Sequence, residues 1–267
     1  MKFDIIVCDP PYSFSDKLSQ SDVPRGAEAN YHTMSISDIK KMPVKNIAAD
    51  GSILCLWVPS SLLQDGLDIM KEWGFVHKQI YIWVKTKKDP LINFKKWIKS
   101  KVLKYPQLVY DSFAYKRAIS SILENINNIN LTEVLSFNMG RLFRQTHEIC
   151  LIGINNTKIY KKLQNKSQRS VSFAENTRHS AKPNNLYDSL DLMFPGSSKI
   201  DIFSRKQRSN WVCIGDQSPM STGEDINKSL IKLDSLSEND YNHIISLTSS
   251  DANKQDLHKF WNNNSII

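Results

Sequence analysis

Apolar residues fall into short unbroken runs, separated by stretches in which they recur at helical spacing. DIIVC (4–8) is a continuous apolar run that halts at Asp9-Pro10-Pro11. Proline has no N–H for a central ladder, so a strand must stop there. Residues 13–34 are polar and loop-like, and Ser35 or Ser37 is placed to cap a helix reaching Met42. SILCLWV (52–58) reads as a second strand, and SSLLQDGLDIMKEWG (60–74) has helical spacing and a terminal glycine. FVHKQIYIWVK (75–85) reads as a third strand, ISSILENINNINLTEVL (119–135) as an Asn-rich helix and EICLIGI (148–154) as a strand. Residues 155–181 read as a polar, basic loop. A helix is expected over 183–193 with Pro183 in its first turn, then strands at KIDIF (199–203) and WVCIG (211–215). From Ser218 the chain is polar with helical stretches and carries four lysines against seven acids.

Unbroken apolar strands alternating with helices predict an α/β fold: a mostly parallel sheet with helices on both faces. The chain has no internal repeat. It has neither GxGxxG nor GxxxxGK[ST], and its nine glycines do not cluster, which disfavours nicotinamide and P-loop phosphate cradles. There is no GxSxG elbow. At 267 residues, 40% hydrophobic and 23% charged, one or two globular domains are expected. No run approaches the roughly 18 apolar residues of a membrane span. The first residues, MKFDIIVCDPPY, lack the pattern of a signal peptide, so the expectation is a cytoplasmic protein with no membrane partner. Cys8, Cys55, Cys150 and Cys213 form no CxxC pair and lie in apolar runs, as buried thiols of a reduced compartment do. His147-Glu148 has no second histidine four residues on, and no metal spacing appears elsewhere.

Thirty-five Lys+Arg against 27 Asp+Glu leave +8. Residues 85–117 alone hold ten basic residues, beginning with Lys85, against Asp89 and Asp111, and ten minus two is again +8. Phe94, Trp97, Tyr105, Tyr110, Phe113 and Tyr115 interleave with them. A solvated helix face over a small core would give such a pattern. Aromatics among cations also suit phosphates and unstacked bases, and the clustering favours this second reading. A second basic stretch, with Lys158, Lys161, Lys162, Lys166 and Arg169, is the alternative nucleic-acid surface.

The chemistry-bearing motif is Asp9-Pro10-Pro11-Tyr12, placed after the first strand, where open α/β sheets bind ligands. Asp9 offers an acceptor. The prolines stiffen the turn and are expected to leave carbonyls without competing N–H donors. Tyr12 offers a ring for stacking a base. An exocyclic amino group is a poor nucleophile because its lone pair is delocalised. The Asp9 carboxylate and Pro10 carbonyl together can accept both amino hydrogens and aim that lone pair at an electrophile. A bare strand-ending Pro-Pro turn is the plain alternative.

[DNS]PP[YFW] after an apolar strand resembles the catalytic motif of amino-group methyltransferases that use S-adenosylmethionine. The rest is similar to the MT-A type N6-adenine methyltransferases. The resemblance is carried by GAEANYHTMSISDIKKMPV (26–44), the strand–helix–strand order of 52–86, GRLFRQTHEICLIGI (140–154), RHSAKPNNLYDSL (178–190) and KIDIFSRKQRSNWVCIGDQ (199–217). It implies a Rossmann-like sheet, circularly permuted so that the catalytic motif precedes the cofactor motif, as in β-class enzymes. It makes Asp9, Pro10, Pro11 and Tyr12 catalytic. It places Cys8, Asp9, Lys182, Asp201, Phe203, Arg205, Asp216 and Gln217 against S-adenosylmethionine, with Lys182 on the methionine carboxylate. Tyr12, Tyr31, Arg141 and Arg144 fall to the substrate, joined by Lys95, Lys96, Lys99 and Lys101 of the basic block. Relatives often have Trp at 12 and Asn at 216, and two residues usual before Asn210-Trp211 are missing, so Gln207 receives no ribose contact. Without the resemblance, Lys182 and Arg205 read as surface residues, and Trp57, Trp83 and Trp211 as core.

The implied organisation is a methyltransferase domain over 1–217, with 87–137 as an inserted basic helical target-recognition subdomain, and a helical tail over 218–267. The implied activity is methylation of adenine N6 in DNA, on a flipped-out base. The compact DPPY chain looks bacterial or phage-like. The alternatives are the same reaction on RNA, or a non-catalytic nucleic-acid-binding subunit. A homodimer or a heteromeric partner fits either.

Overall fold

The computed structural model describes residues 1–13, 33–88, 135–137, 142–177, 181–248 and 254–264, with single helical positions at 96, 113, 117 and 120. Most of the helix expected over 119–135 lies outside the described residues. The strands are β1 (Phe3–Cys8), β2 (Ala48–Val58), β3 (Val76–Thr86), β4 (His147–Ile154), β5 (Val171–Glu175), β6 (Lys199–Ile202) and β7 (Val212–Ile214). Hydrogen bonding orders them β5-β3-β4-β2-β1-β6-β7 in one seven-stranded sheet. The fold is the Rossmann-like α/β class expected from the sequence, with mixed strand directions. Compact packing divides the chain into two units, 1–81 with 149–170 and 187–267, and 82–148 with 171–186.

In the first unit, every residue of β1 is buried. β1 pairs in parallel with β2 (Val7 opposite Cys55) and with β6 (Val7 opposite Asp201), and β6 pairs in parallel with β7. β4 runs antiparallel to β2, with Val58 opposite Ile149 and Ile53 opposite Ile154. One face of the sheet contributes Ile6, Leu54, Leu56, Ile200 and Val212 to the main core. Helix α1 (Ile36–Lys41) adds Ile39, and helix α3 (Leu63–Glu72) adds Ile69 and Met70. Between them, α2 (Val44–Ile47) buries Val44 and Ile47. Ser35 is the cap of α1, its Oγ accepting from Asp38 N at 3.1 Å. On the opposite face, helix α4 (Asn185–Met193) brings Tyr187 edge-on to Trp211, with ring centroids 5.2 Å apart.

The tail forms α5 (Ile226–Ser235), α6 (Glu238–Thr248) and α7 (Lys254–Asn263). Asp225 caps α5 by accepting from Asn227 N and Lys228 N. Leu230, Leu233, Ile244, Leu257 and Trp261 join the same cluster as Phe3 and Ile6, so the tail helices extend the core of the first unit.

In the second unit, β5 pairs in parallel with the end of β3, with Val84 opposite Phe173. The sequence reading places a loop there. β5 escapes it because an edge strand needs no continuous apolar run. Val171 and Phe173 stay exposed, while Trp83 Nε1 donates to the Ala174 carbonyl at 3.1 Å.

Candidate active site

β1 and β6 lie side by side and parallel, and the chain departs from them in opposite directions, to β2 and to β7. That is a topological switch point, where the loops diverge and leave a crevice at the strands' carboxyl ends. The motif 9–12 leaves β1 there, and Asp9 N reaches the Ile202 carbonyl at 3.4 Å.

The motif's backbone is more occupied than expected. Tyr12 N donates to the Pro10 carbonyl at 2.9 Å, and Met34 N donates to the Pro11 carbonyl at 2.7 Å. The expectation of carbonyls without N–H donors is therefore corrected. The prolines lack N–H groups themselves, but neighbouring residues supply them. A carbonyl oxygen has two lone pairs, so Pro10 keeps capacity for a second donor. Tyr12 is 4% exposed, and its Oη donates to the Trp57 carbonyl at 3.0 Å. Burial pushes its phenol well above the ordinary range, with Cys8 and Asp9 adding to the effect. Burial does the same for the Cys8 thiol, helped by the charges of Asp9 and Asp201. Both groups stay neutral at physiological pH.

Asp201, on β6, is fully enclosed. Its Oδ1 accepts from Tyr187 Oη at 3.0 Å, and its Oδ2 faces Arg208 Nε at 3.4 Å. The Arg208 guanidinium lies 3.4 Å from the Tyr187 ring centroid. Burial raises the Asp201 carboxyl above its ordinary range, and Arg208, Ser204 and Tyr187 oppose this without cancelling it. Phe203 follows with φ +66, a left-handed conformation that costs a bulky residue strain and persists only where surroundings impose it. Gly215 ends β7 so close to this turn that a Cβ there would sit 2.6 Å from the Ser204 carbonyl. Arg205, Asp216 and Gln217 are exposed. Gln207 Nε2 braces the loop, donating to the Arg208 and Trp211 carbonyls at 2.9 and 2.8 Å.

Lys182 belongs to the second unit. There Glu148 accepts from Lys85 at 2.6 Å through Oε1 and from Lys182 at 3.2 Å through Oε2. Burial opposes ionisation of Glu148, but the two ammonium groups outweigh it and hold the carboxyl below its ordinary range. Lys85 is 2% exposed. It leaves the basic block as read from the sequence, because it is an internal partner of Glu148 and not a surface cation.

Of the expected substrate residues, Lys96 is an exposed helical position and Arg144 is exposed in the second unit. Tyr31, Lys95, Lys99, Lys101 and Arg141 lie outside the described residues. The alternative basic stretch sits at the wrong end of the sheet. It follows β4, which runs antiparallel to β2, and so starts from the edge remote from Asp9. Its Lys162 is tied to Asp4 at 2.7 Å and its Lys158 to Asp50.

Arg208, Tyr187, Lys85 and Glu148 were not assigned from sequence. Glu148 lies inside one of the resembling stretches, yet nothing in one chain shows that its side chain meets two lysines far apart in sequence.

A model of the MT-A70 family matches residues 3–106 and 95–217. Among curated proteins, the N(6)-adenosine-methyltransferase MT-A70-like protein of Drosophila melanogaster is 25% identical over 220 residues, covering 81% of this chain and 27% of that protein. The human N(6)-adenosine-methyltransferase catalytic subunit METTL3 is 22% identical over 218 residues, covering 81% of this chain and 28% of that protein. The type II methyltransferase M.MunI of Mycoplasma sp is 21% identical over 226 residues, covering 79% of this chain and 75% of that protein. The chain thus spans about a quarter of the length of the adenosine-methyltransferase relatives.

Proposed function

The chain belongs to the MT-A70 family, and we propose that it transfers a methyl group from S-adenosylmethionine to the N6 amino group of adenine in DNA. The observation that carries this reading is the position of Asp9-Pro10-Pro11-Tyr12, at the switch point beside the buried carboxylate of Asp201.

The residues fit the cofactor by the chemistry of their donors. The Lys182 ammonium, held by Glu148 in the second unit, is of the type that suits the carboxylate of a methionine moiety. Asp201 suits a hydroxyl or ammonium donor. The cofactor supplies an electrophilic methyl group on a sulfonium. The protein's part is to make the amino nitrogen a nucleophile. Asp9 and the second lone pair of the Pro10 carbonyl accept the two N6 hydrogens, so the nitrogen's own lone pair points at the methyl group. As the nitrogen–methyl bond forms, the methyl–sulfur bond would break to leave a neutral thioether, and the displaced N6 proton would pass to solvent. A paired base hides its N6, so the adenine is flipped out, at a cost of a few kcal/mol.

The match to M.MunI, spanning most of both chains, supports DNA. The names of the adenosine-methyltransferase relatives favour RNA as the second reading. The exposed cations of the basic block and Arg144 would then meet phosphates. No helix among the described residues is long and apolar enough to cross a membrane.

The test is labelled S-adenosylmethionine with matched DNA and RNA oligomers, for the wild type and Asp9→Ala. Label is expected on DNA adenine N6, falling on the order of a hundredfold in Asp9→Ala. Label on RNA alone would transfer the proposal to that substrate. Binding without transfer to either would make the chain a non-catalytic subunit, and an Asp9→Ala variant keeping half the rate would overturn the mechanism.

A further inference from the structure

The buried carboxylate of Asp201 is held by two groups that come from different parts of the chain. Tyr187, on α4, donates its hydroxyl to Oδ1, and Arg208, from the loop between β6 and β7, reaches Oδ2. Arg208 also lies against the Tyr187 ring, so the three side chains brace one another. Arg208 is itself only 12% exposed. A guanidinium stacked on an aromatic face in a buried site is held in one orientation.

Asp201 lies one residue before Ile202, whose carbonyl binds Asp9 N at the carboxyl end of β6. We propose that Arg208 is a positioning residue for the cofactor: it holds the Asp201 carboxyl group as a fixed acceptor beside the switch point, so that Asp201 can receive a hydroxyl or ammonium donor of the ligand. This rests on the cofactor reading above and adds a residue to it.

The surroundings leave this role to Arg208. The groups that face Asp201 are Tyr187 on α4, Cys213 beside it on β7, and Ser204 and Arg208 in the loop, while Cys8 pairs with Ile202 and lies on the other face of the sheet. Cys213 is pushed up to about 12 by burial, and Cys8 and Tyr187 are raised as well, so none of them ionises near neutrality. Burial alone raises Asp201, and Arg208 is the leading influence in the other direction. Without it, Asp201 takes up a proton at a higher pH and ceases to be an anionic acceptor.

The test is calorimetric titration with S-adenosylhomocysteine between pH 6 and 9. Its variants are Arg208→Met, which keeps the stem, and Arg208→Lys, which keeps a charge. Thermal denaturation of each variant checks that it folds. The wild type is expected to bind with affinity changing less than about twofold across the range. Arg208→Met is expected to bind more weakly at pH 6 than at pH 9, losing affinity progressively as the pH falls and Asp201 takes up a proton. Arg208→Lys should restore most of the loss at pH 6. A folded Arg208→Met variant with wild-type affinity at every pH overturns the proposal. So does a uniform loss without pH dependence or lysine rescue, which is the mark of packing alone. A wild type that binds no S-adenosylhomocysteine overturns the cofactor reading instead.

Discussion

Tyr12 hangs from Trp57: its hydroxyl donates 3.0 Å to the Trp57 carbonyl, one residue before the end of β2. The aromatic residue of the Asp9–Tyr12 motif is thereby fixed to the strand beside the one that delivers Asp9. A tyrosine at this position gains an anchor that phenylalanine cannot make.

Tyr12→Phe and Tyr12→Ala should therefore separate anchoring from stacking. Loss of the hydroxyl removes one buried hydrogen bond and should cost about 1 kcal/mol of stability, seen in chemical denaturation. The ring remains, so transfer should persist. Tyr12→Ala also removes the ring; on the proposed reading that the ring stacks on the base, a contact worth about 1–3 kcal/mol, nucleic-acid binding should weaken roughly tenfold or more. Equal nucleic-acid affinity in the two variants would show that the ring does not meet the base.

Glu148→Gln should destabilise the protein at pH 7 by about 3 kcal/mol, because it leaves the buried Lys85 ammonium facing an uncharged partner. The sign of the pH dependence follows from the depressed carboxyl. Its stabilisation is fully present above the unfolded value near 4.5 and disappears as pH falls through the lower folded value. Wild type and Glu148→Gln should converge in midpoint as unfolding is followed from pH 7 down into that acid range. A constant gap at all pH values would rule out the ion pair as its source.

Replacing Lys95, Lys96, Lys99 and Lys101 with Ala should weaken DNA binding and flatten its salt dependence. Each lost phosphate contact removes about 0.9 from the slope of log affinity against log salt. Cofactor affinity should stay at the wild-type value. An unchanged slope, measured at several salt concentrations, would place the nucleic-acid contacts on other residues. The stretch at 158–169 is a poor substitute, because it starts from the remote end of the sheet and two of its lysines are paired.

Gly215→Ala and Gly196→Ala form a matched pair. At Gly215 the added methyl would meet the Ser204 carbonyl at 2.6 Å, and overpacking of this kind costs about 1–3 kcal/mol. At Gly196 a methyl would meet nothing within 4 Å, and only the φ of +75 penalises alanine, by about 1 kcal/mol. Gly215→Ala should also lower cofactor affinity, since it pushes on the turn at Phe203 and Ser204. Equal midpoints and equal affinities would show that the turn yields freely.

The strands of the sheet centre were legible in the chain because they are buried on both faces and so are mostly apolar. IIVC and SILCLWV carry their own burial in their composition, and KIDIF keeps Ile200, Ile202 and Phe203 around its buried Lys199 and Asp201. The prolines at 10 and 11 mark where β1 must stop, and the motif they belong to carries the family resemblance. The β5 strand was not legible, because an edge strand is held by backbone bonds to β3 and keeps Val171 and Phe173 exposed. Lys85 and Lys87 look alike in a row of lysines. Only the fold decides that Lys85 turns inward to Glu148, 63 positions along the chain, while Lys87 stays at the surface. The same holds for Asp201 and its partners Tyr187 and Arg208. Residue types and local spacing determine which strands form and where they end. Which charges become buried partners depends on contacts between distant residues, and these exist only once the tertiary structure has closed around them.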